Sequence, residues 1–195
     1  MADPKIPLEG DRFYHIYNHA VGNELFFKSD ENYNFFLRRF KKHVHPYAEL
    51  YAYCLMSNHF HFVVKVKPEK EVLFAYKYKR ELQSKRIVKS NVPDILSQAF
   101  SNYFNSYAQA YNKENNRMGS LFVNRFKRIH IDSENYLKRL IIYVHHNPKS
   151  AGLVSKIGNW KYSSYNAICS TQKTLVARNE VVELFDNLGN FKAVH

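Results

Sequence analysis

Two histidines stand one residue apart in the run Asn58-His59-Phe60-His61-Phe62. In an extended strand, residues i and i+2 share a face. His59 and His61 then project side by side, while Phe60, Phe62 and Val64 point the other way. Two neutral imidazoles placed like this are natural ligands for one divalent metal. The plainer reading is a pair of polar residues on the wet face of a half-buried strand, the usual fate of a short histidine motif. A second pair carries complementary chemistry. Tyr143 and Asn147 lie one helical turn apart and can present a phenol and an amide oxygen to one point. A tyrosine oxygen is a nucleophile able to form covalent intermediates. The amide oxygen would complete a metal site begun by His59 and His61. The chain has fifteen tyrosines, so composition alone does not select Tyr143. An aromatic at the edge of a core stripe is its plainer account.

Such a site needs a scaffold, and the composition provides for one. Hydrophobic residues make up 45% of the 195 residues, with fifteen Phe beside the fifteen Tyr. That is enough for a real core in one domain with room for a small appendage, and it excludes wholesale disorder. The net charge of +12 calls for a polyanionic partner, nucleic acid before a membrane surface, since no lipidation motif accompanies the charge. No apolar run approaches the length of a membrane span. The stretch Met1 to Phe13 has neither the basic end nor the apolar core of a secretory signal, so the expectation is a cytoplasmic protein. Cys54 and Cys169 lie far apart without metal-type spacing and are expected to be reduced.

Along the chain, residues 1–10 read as a lead-in. Phe13 to His19 reads as a strand, with Phe13, Ile16 and Tyr17 as its aromatic and β-branched residues. Gly22-Asn23 reads as a turn. Ser29-Asp30 caps a helix running to about His43, with Phe36, Leu37 and Phe40 as its apolar stripe. His45-Pro46 ends it. Tyr47–Met56 and His59–Val66, split by Ser57-Asn58, form an antiparallel hairpin. Residues 65–89 hold nine Lys/Arg against three Glu, interleaved with Phe74, Tyr76 and Tyr78. They read either as a solvated helix face or as a surface for single-stranded nucleic acid, where charge tracks the backbone and rings stack on bases. Pro93-Asp94 starts a helix to about Asn112 with a core stripe from Ile95 to Tyr111. Ser120–Ile131 has strand texture with a basic end. Asp132 or Ser133 caps a helix with the stripe Leu137, Leu140, Ile141 and Val144, expected to stop or distort around Asn147 because Pro148 follows. Asn179–Leu188 reads as a peripheral helix. The order strand, helix, hairpin, helix, strand, helix predicts an α+β fold: a ferredoxin-like (RRM-like) antiparallel sheet with helices packed on it and the candidate catalytic Tyr on a helix.

Several segments together resemble a known family. Asn58-His59-Phe60-His61-Phe62 resembles the HUH motif (His, bulky hydrophobe, His) of single-tyrosine HUH transposases. Tyr143 to Val154 resembles the Tyr-x-x-x-Asn-Pro-x-x-x-Gly segment of the REP-associated tyrosine transposases, and Trp160-x-x-Ser163-Ser164-Tyr165 their downstream block. Phe13 to Asn18 with Gly22-Asn23, and Gly119 to Phe122 with Arg125-Phe126-Lys127, add to the likeness. It covers roughly residues 10–166.

The resemblance implies a metal-dependent single-stranded DNA endonuclease and strand transferase acting on hairpin-forming, palindromic DNA. His59 and His61 match the metal-binding histidines, and Asn147 the third ligand, where insertion-sequence relatives usually carry Gln. Tyr143 matches the nucleophile, which forms a 5′-phosphotyrosine with the help of Mg²⁺ or Mn²⁺. Arg38, Arg39, Lys65, Lys67, Lys77, Lys79, Arg80, Arg125, Lys127 and Arg128 are the candidate DNA contacts, on a monomer or homodimer without membrane attachment. The expected division is a transposase/nuclease domain over 1–170 and a C-terminal helical extension over 171–195. His145 and His146 read as exposed histidines at a helix end. The alternative function is a single-stranded nucleic-acid-binding module that has lost cleavage.

Overall fold

The computed structural model describes residues 6–84, 86, 88–123 and 125–195. Lys85 of the basic run and the first five residues of the lead-in lie outside them. Four strands form one antiparallel sheet: β1 (Phe13–His19), β2 (Ala48–Met56), β3 (His59–Val66) and β4 (Lys127–Ile131), in the order β2-β3-β1-β4. With α1 (Asp30–His43) between β1 and β2, and α2 (Glu69–Leu82) and α3 (Val92–Glu114) between β3 and β4, this is the ferredoxin-like arrangement. The chain continues through α4 (Glu134–Ser150), α5 (Tyr165–Cys169), α6 (Arg178–Leu184) and α7 (Leu188–Ala193).

The sheet's faces follow from side-chain alternation. The even residues of β3, Phe60 to Val66, are fully buried. Phe60 and Phe62 pack against Phe36 of α1 and against Phe104 and Tyr103 of α3. The expected core stripe of α3 is buried throughout, from Ile95 to Tyr111. Tyr107 and Tyr111 spend their hydroxyls on the Phe26 and Leu25 carbonyls, fastening the loop before α1. On the other face lies α4, against β2, β3 and β4.

The hairpin turn at Ser57-Asn58 is held from outside. The Ser57 carbonyl accepts from the Phe26 amide at 2.6 Å and the Asn58 carbonyl from the Ala20 amide at 2.8 Å. The start of β3 is thereby fixed to the end of β1.

Three expectations need correction. The strand over Ser120–Ile131 shortens to Lys127–Ile131. Gly119 (φ 86°) and Arg125 (φ 53°) adopt left-handed conformations, and the segment before Arg125 meets β1's extension at the isolated Ala20–Phe122 bridge and its flanking hydrogen bonds rather than as a continuous strand. The last expected helix is two, α6 and α7. Pro148 does not end α4: it is buried inside the helix, which runs to Ser150 and is closed by Gly152 at φ 71°. A left-handed glycine there lets the Gly152 and Leu153 amides reach back to the Lys149 and Pro148 carbonyls.

Candidate active site

The site grows from β1 and β3, whose odd residues face α4. His19 pairs with His59 and Tyr17 with His61 across the two strands. This puts His15, Tyr17, His19, His59 and His61 in one patch. The His59 and His61 ring centroids are 5.3 Å apart. His19 stacks on His59 at 4.9 Å, and Tyr17 on His15 at 4.7 Å.

Each paired histidine has one ring nitrogen already engaged. His61 Nδ1 lies 2.9 Å from His15 Nε2, both side chains being buried. His59 Nδ1 lies 2.8 Å from Asn58 Oδ1, the carboxamide of the tethered turn. The partner oxygen of Asn58 assigns the proton to His59 Nδ1 and leaves Nε2 as the ligand atom. If His61 also presents Nε2, its Nδ1–H donates to His15 Nε2, so the His15 proton sits on its own Nδ1. Engagement of the outer nitrogen by a fixed acceptor is how metal-binding imidazoles are held in orientation.

Burial keeps the cluster neutral. It pushes His61 down to about 2, helped by the nearby His15, His59 and His19. Burial alone takes His15 down to about 4. His59 is lowered by burial and by His19, and His19 by burial and by the Lys127 ammonium. Neutral imidazoles keep the lone pair a metal requires.

Helix α4 brings the other two residues. Ser133 caps it, its side chain accepting from the Tyr136 amide. The rings of Tyr143 and His61 meet in a T-shaped pair, centroids 5.7 Å apart. Tyr143 is 52% exposed, so its phenol is open to an incoming strand. One turn on, Asn147 donates Nδ2 to the Tyr143 carbonyl at 3.1 Å, and its carboxamide is close enough to His59 to favour that ring's charged form. His59, His61, Tyr143 and Asn147, some eighty residues apart in sequence, therefore occupy one place.

Among the described residues, no group of three or more His, Cys, Asp or Glu side chains is arranged to hold a metal ion. An ion here would rest on two imidazoles and one carboxamide oxygen. Three such ligands bind a divalent ion and leave its remaining positions to water and phosphate oxygens.

Other parts of the site were not anticipated. His15, Tyr17 and His19 belong to it through the period-2 alternation of β1, a signal as plain in the sequence as His59-x-His61. Burial and the nearby Tyr136 and Tyr143 phenols raise the Tyr17 hydroxyl, so three phenols cluster beside the histidines. His145 is fully buried rather than an exposed helix-end residue. Its Nδ1 meets His195 Nε2 at 2.9 Å and its Nε2 meets Ser164 Oγ at 2.6 Å, while His146 Nε2 meets the His195 carbonyl at 2.8 Å. The tail covers α4 here, with Phe191 packed on His145 and Phe185 on His195.

The ten basic candidates are scattered. Lys127 is at the site, its ammonium 5.8 Å from the Tyr17 ring centre. Arg125 is exposed nearby. Arg128 is buried and donates to the Ile6 carbonyl at 2.9 Å. Arg39 bonds Ser106 at 2.8 Å between α1 and α3, and Arg38 pairs with Glu31. Lys65, Lys67, Lys77, Lys79 and Arg80 lie toward the opposite end of β3 or on α2, with Lys65 over Phe13, Lys79 over Tyr47 and Arg80 over Tyr76.

No protein-family model matches this chain, and no curated protein matches it. A solved structure described as a REP-associated tyrosine transposase bound to a REP hairpin superimposes with a TM-score of 0.60, covering 90% of each chain at 10% sequence identity. The structural neighbour is thus a REP-associated tyrosine transposase, and the two chains share the fold. No helix among the described residues is long and apolar enough to cross a membrane.

Proposed function

We propose that this protein is a metal-dependent endonuclease and strand transferase for single-stranded, hairpin-forming DNA, with Tyr143 as its nucleophile. The observation that carries the reading is the Tyr143 ring 5.7 Å from that of His61, on a helix that also brings Asn147 to His59. The solved neighbour, described as bound to a hairpin, supports the substrate class.

His59 Nε2, His61 Nε2 and Asn147 Oδ1 would hold a divalent ion, Mg²⁺ or Mn²⁺. When bound, it supplies charge neutralisation at the scissile phosphate and orients that phosphate. The chain's own residues do the rest. Asn58 and His15 hold the two imidazoles in their ligating tautomers. Lys127 offers a cation to the incoming backbone. The Tyr143 oxygen attacks phosphorus as its phenolic proton passes to water, the bond to the 3′ oxygen breaks, and that oxygen leaves as a 3′-OH after taking a proton from water. The result is a 5′-phosphotyrosine. Attack by a 3′-OH reverses the step, so strands rejoin with no external energy source.

The test is incubation of a 3′-labelled hairpin oligonucleotide with the protein and Mn²⁺, followed by denaturing electrophoresis. A labelled, protein-sized adduct is expected with wild type, and none with Tyr143→Phe or in excess chelator. An adduct of equal yield in Tyr143→Phe would remove the nucleophile assignment.

A further inference from the structure

Helix α3 is unusual in a basic protein. From Ile95 to Asn112 it carries no charged side chain, although 24% of the chain is charged. Its outer face is made of hydroxyls and carboxamides. Ser97, Ser101, Asn105 and Gln109 recur at every fourth position and therefore form one stripe. That stripe lines a cleft of about 590 Å³, within the size range of small-molecule sites. The facing wall is the irregular segment before β4, with Phe122, Phe126 and Arg125. No Asp or Glu lines it.

We propose that this cleft is a base-reading site, taking an unpaired nucleobase of the same DNA strand whose phosphate is at the His59–His61 site. The proposal rests on the functional reading above and names where sequence is sensed. Three observations carry it. First, the chemistry of the lining is that of base recognition: carboxamides pair with base edges and phenyl rings stack on base faces, whereas phosphates are tracked by cations. Asn105 and Gln109 are both exposed, and Gln109 has no hydrogen-bond partner among the described residues. Second, the cleft and the metal site lie back to back on one strand end. Asn18 lines the cleft, and its neighbours Tyr17 and His19 face the histidine patch. The wall is tied to that strand end, because Val123 donates to the His19 carbonyl at 3.0 Å and Asn18 donates to the Val123 carbonyl at 3.1 Å. Third, the edge between the two faces carries Lys127 on the metal side and Arg125 on the cleft side. A phosphate backbone crossing that edge meets a cation on each side.

The test uses fluorescence anisotropy with five labelled hairpin oligonucleotides. Four carry single-stranded flanks made wholly of dA, dC, dG or dT, and the fifth carries an abasic flank. Wild-type affinity is expected to differ by tenfold or more across the four bases, with the abasic flank weakest. Asn105→Ala/Gln109→Ala is expected to bind all five alike, near the wild-type abasic level. Both positions are exposed on a helix and alanine favours helix, so the variant keeps its fold; a thermal melt checks this. Equal wild-type binding to all five, or a variant that keeps the wild-type ranking, overturns the cleft assignment even where the Tyr143 adduct forms. Absence of wild-type binding to every hairpin overturns the functional reading and this proposal with it.

Discussion

Replacing His15 with leucine separates the positioning of a metal ligand from its identity. His15 touches no substrate in this account; it acts through the 2.9 Å contact of its Nε2 with His61 Nδ1. Leucine fills similar space but accepts no hydrogen bond. His61 is 5% exposed, so its Nδ1 loses its partner without gaining full access to water. Stranding a buried donor costs about 1–3 kcal/mol. Loss of a hydrogen bond behind a metal-binding imidazole typically weakens the metal by about 10- to 100-fold, equivalent to about 1.4–2.7 kcal/mol. The assay is a Mn²⁺ titration by isothermal calorimetry without DNA, beside a thermal melt of each variant. His15→Leu is expected to bind Mn²⁺ at least tenfold more weakly. His15→Gln is expected to recover much of the loss, because its amide oxygen can accept from His61 Nδ1–H. Mn²⁺ affinity in His15→Leu within twofold of wild type would refute the reasoning, because it would mean His61 needs no partner to ligate.

Protonation supplies a second test. Burial holds His15 at about 4 and, with His195 and His146 beside it, also lowers His145 well below its ordinary value, while the unfolded chain protonates its histidines near 6.5. The unfolded state therefore binds more protons between about pH 4 and 6.5, so stability falls as the pH drops through that window and is insensitive to these groups above it. His15 alone accounts for about 2 kcal/mol lost between pH 8 and pH 5, and urea unfolding at the two values should register a loss at least that large. Ser164→Ala deprives both His145 Nε2 (2.6 Å) and the Tyr53 amide (2.9 Å) of a buried partner. It should lower stability by roughly 1–3 kcal/mol in the same assay. Lys127→Ala should reduce the slope of log K against log salt for hairpin DNA by about 0.7, the value for one lost phosphate contact on a single strand.

The sequence made the hairpin at His59, the capped helix carrying Tyr143 and the ferredoxin-like order readable, because each rests on local periodicity, turn chemistry and caps. The convergence of Tyr143 and Asn147 on the histidines was an expectation of the family resemblance and of helix geometry, and the packing of α4 across β3 supplies it in this chain. His15 and His19 are marked by no motif of their own; only the period-2 alternation of β1, set by its pairing with β3, puts them on the face of His59 and His61. His145 was misjudged for a different reason: nothing local marks a helix-end histidine for burial, and it is covered by a segment some fifty residues later. The break before β4 follows from the left-handed Arg125, a conformation no propensity assigns to arginine. The cleft beside α3 depends on which helix face the sheet leaves uncovered, which only the packed structure decides.

The central claim is that His59, His61, Asn147 and Tyr143 make one site. The most direct measurement is mass spectrometry of the protease-digested DNA adduct formed in Mn²⁺. The nucleotide-linked peptide is expected to contain Tyr143, with the mass of a 5′-phosphate bonded to its phenol. Linkage to Tyr17 or Tyr136, the other phenols of the cluster, would contradict the account.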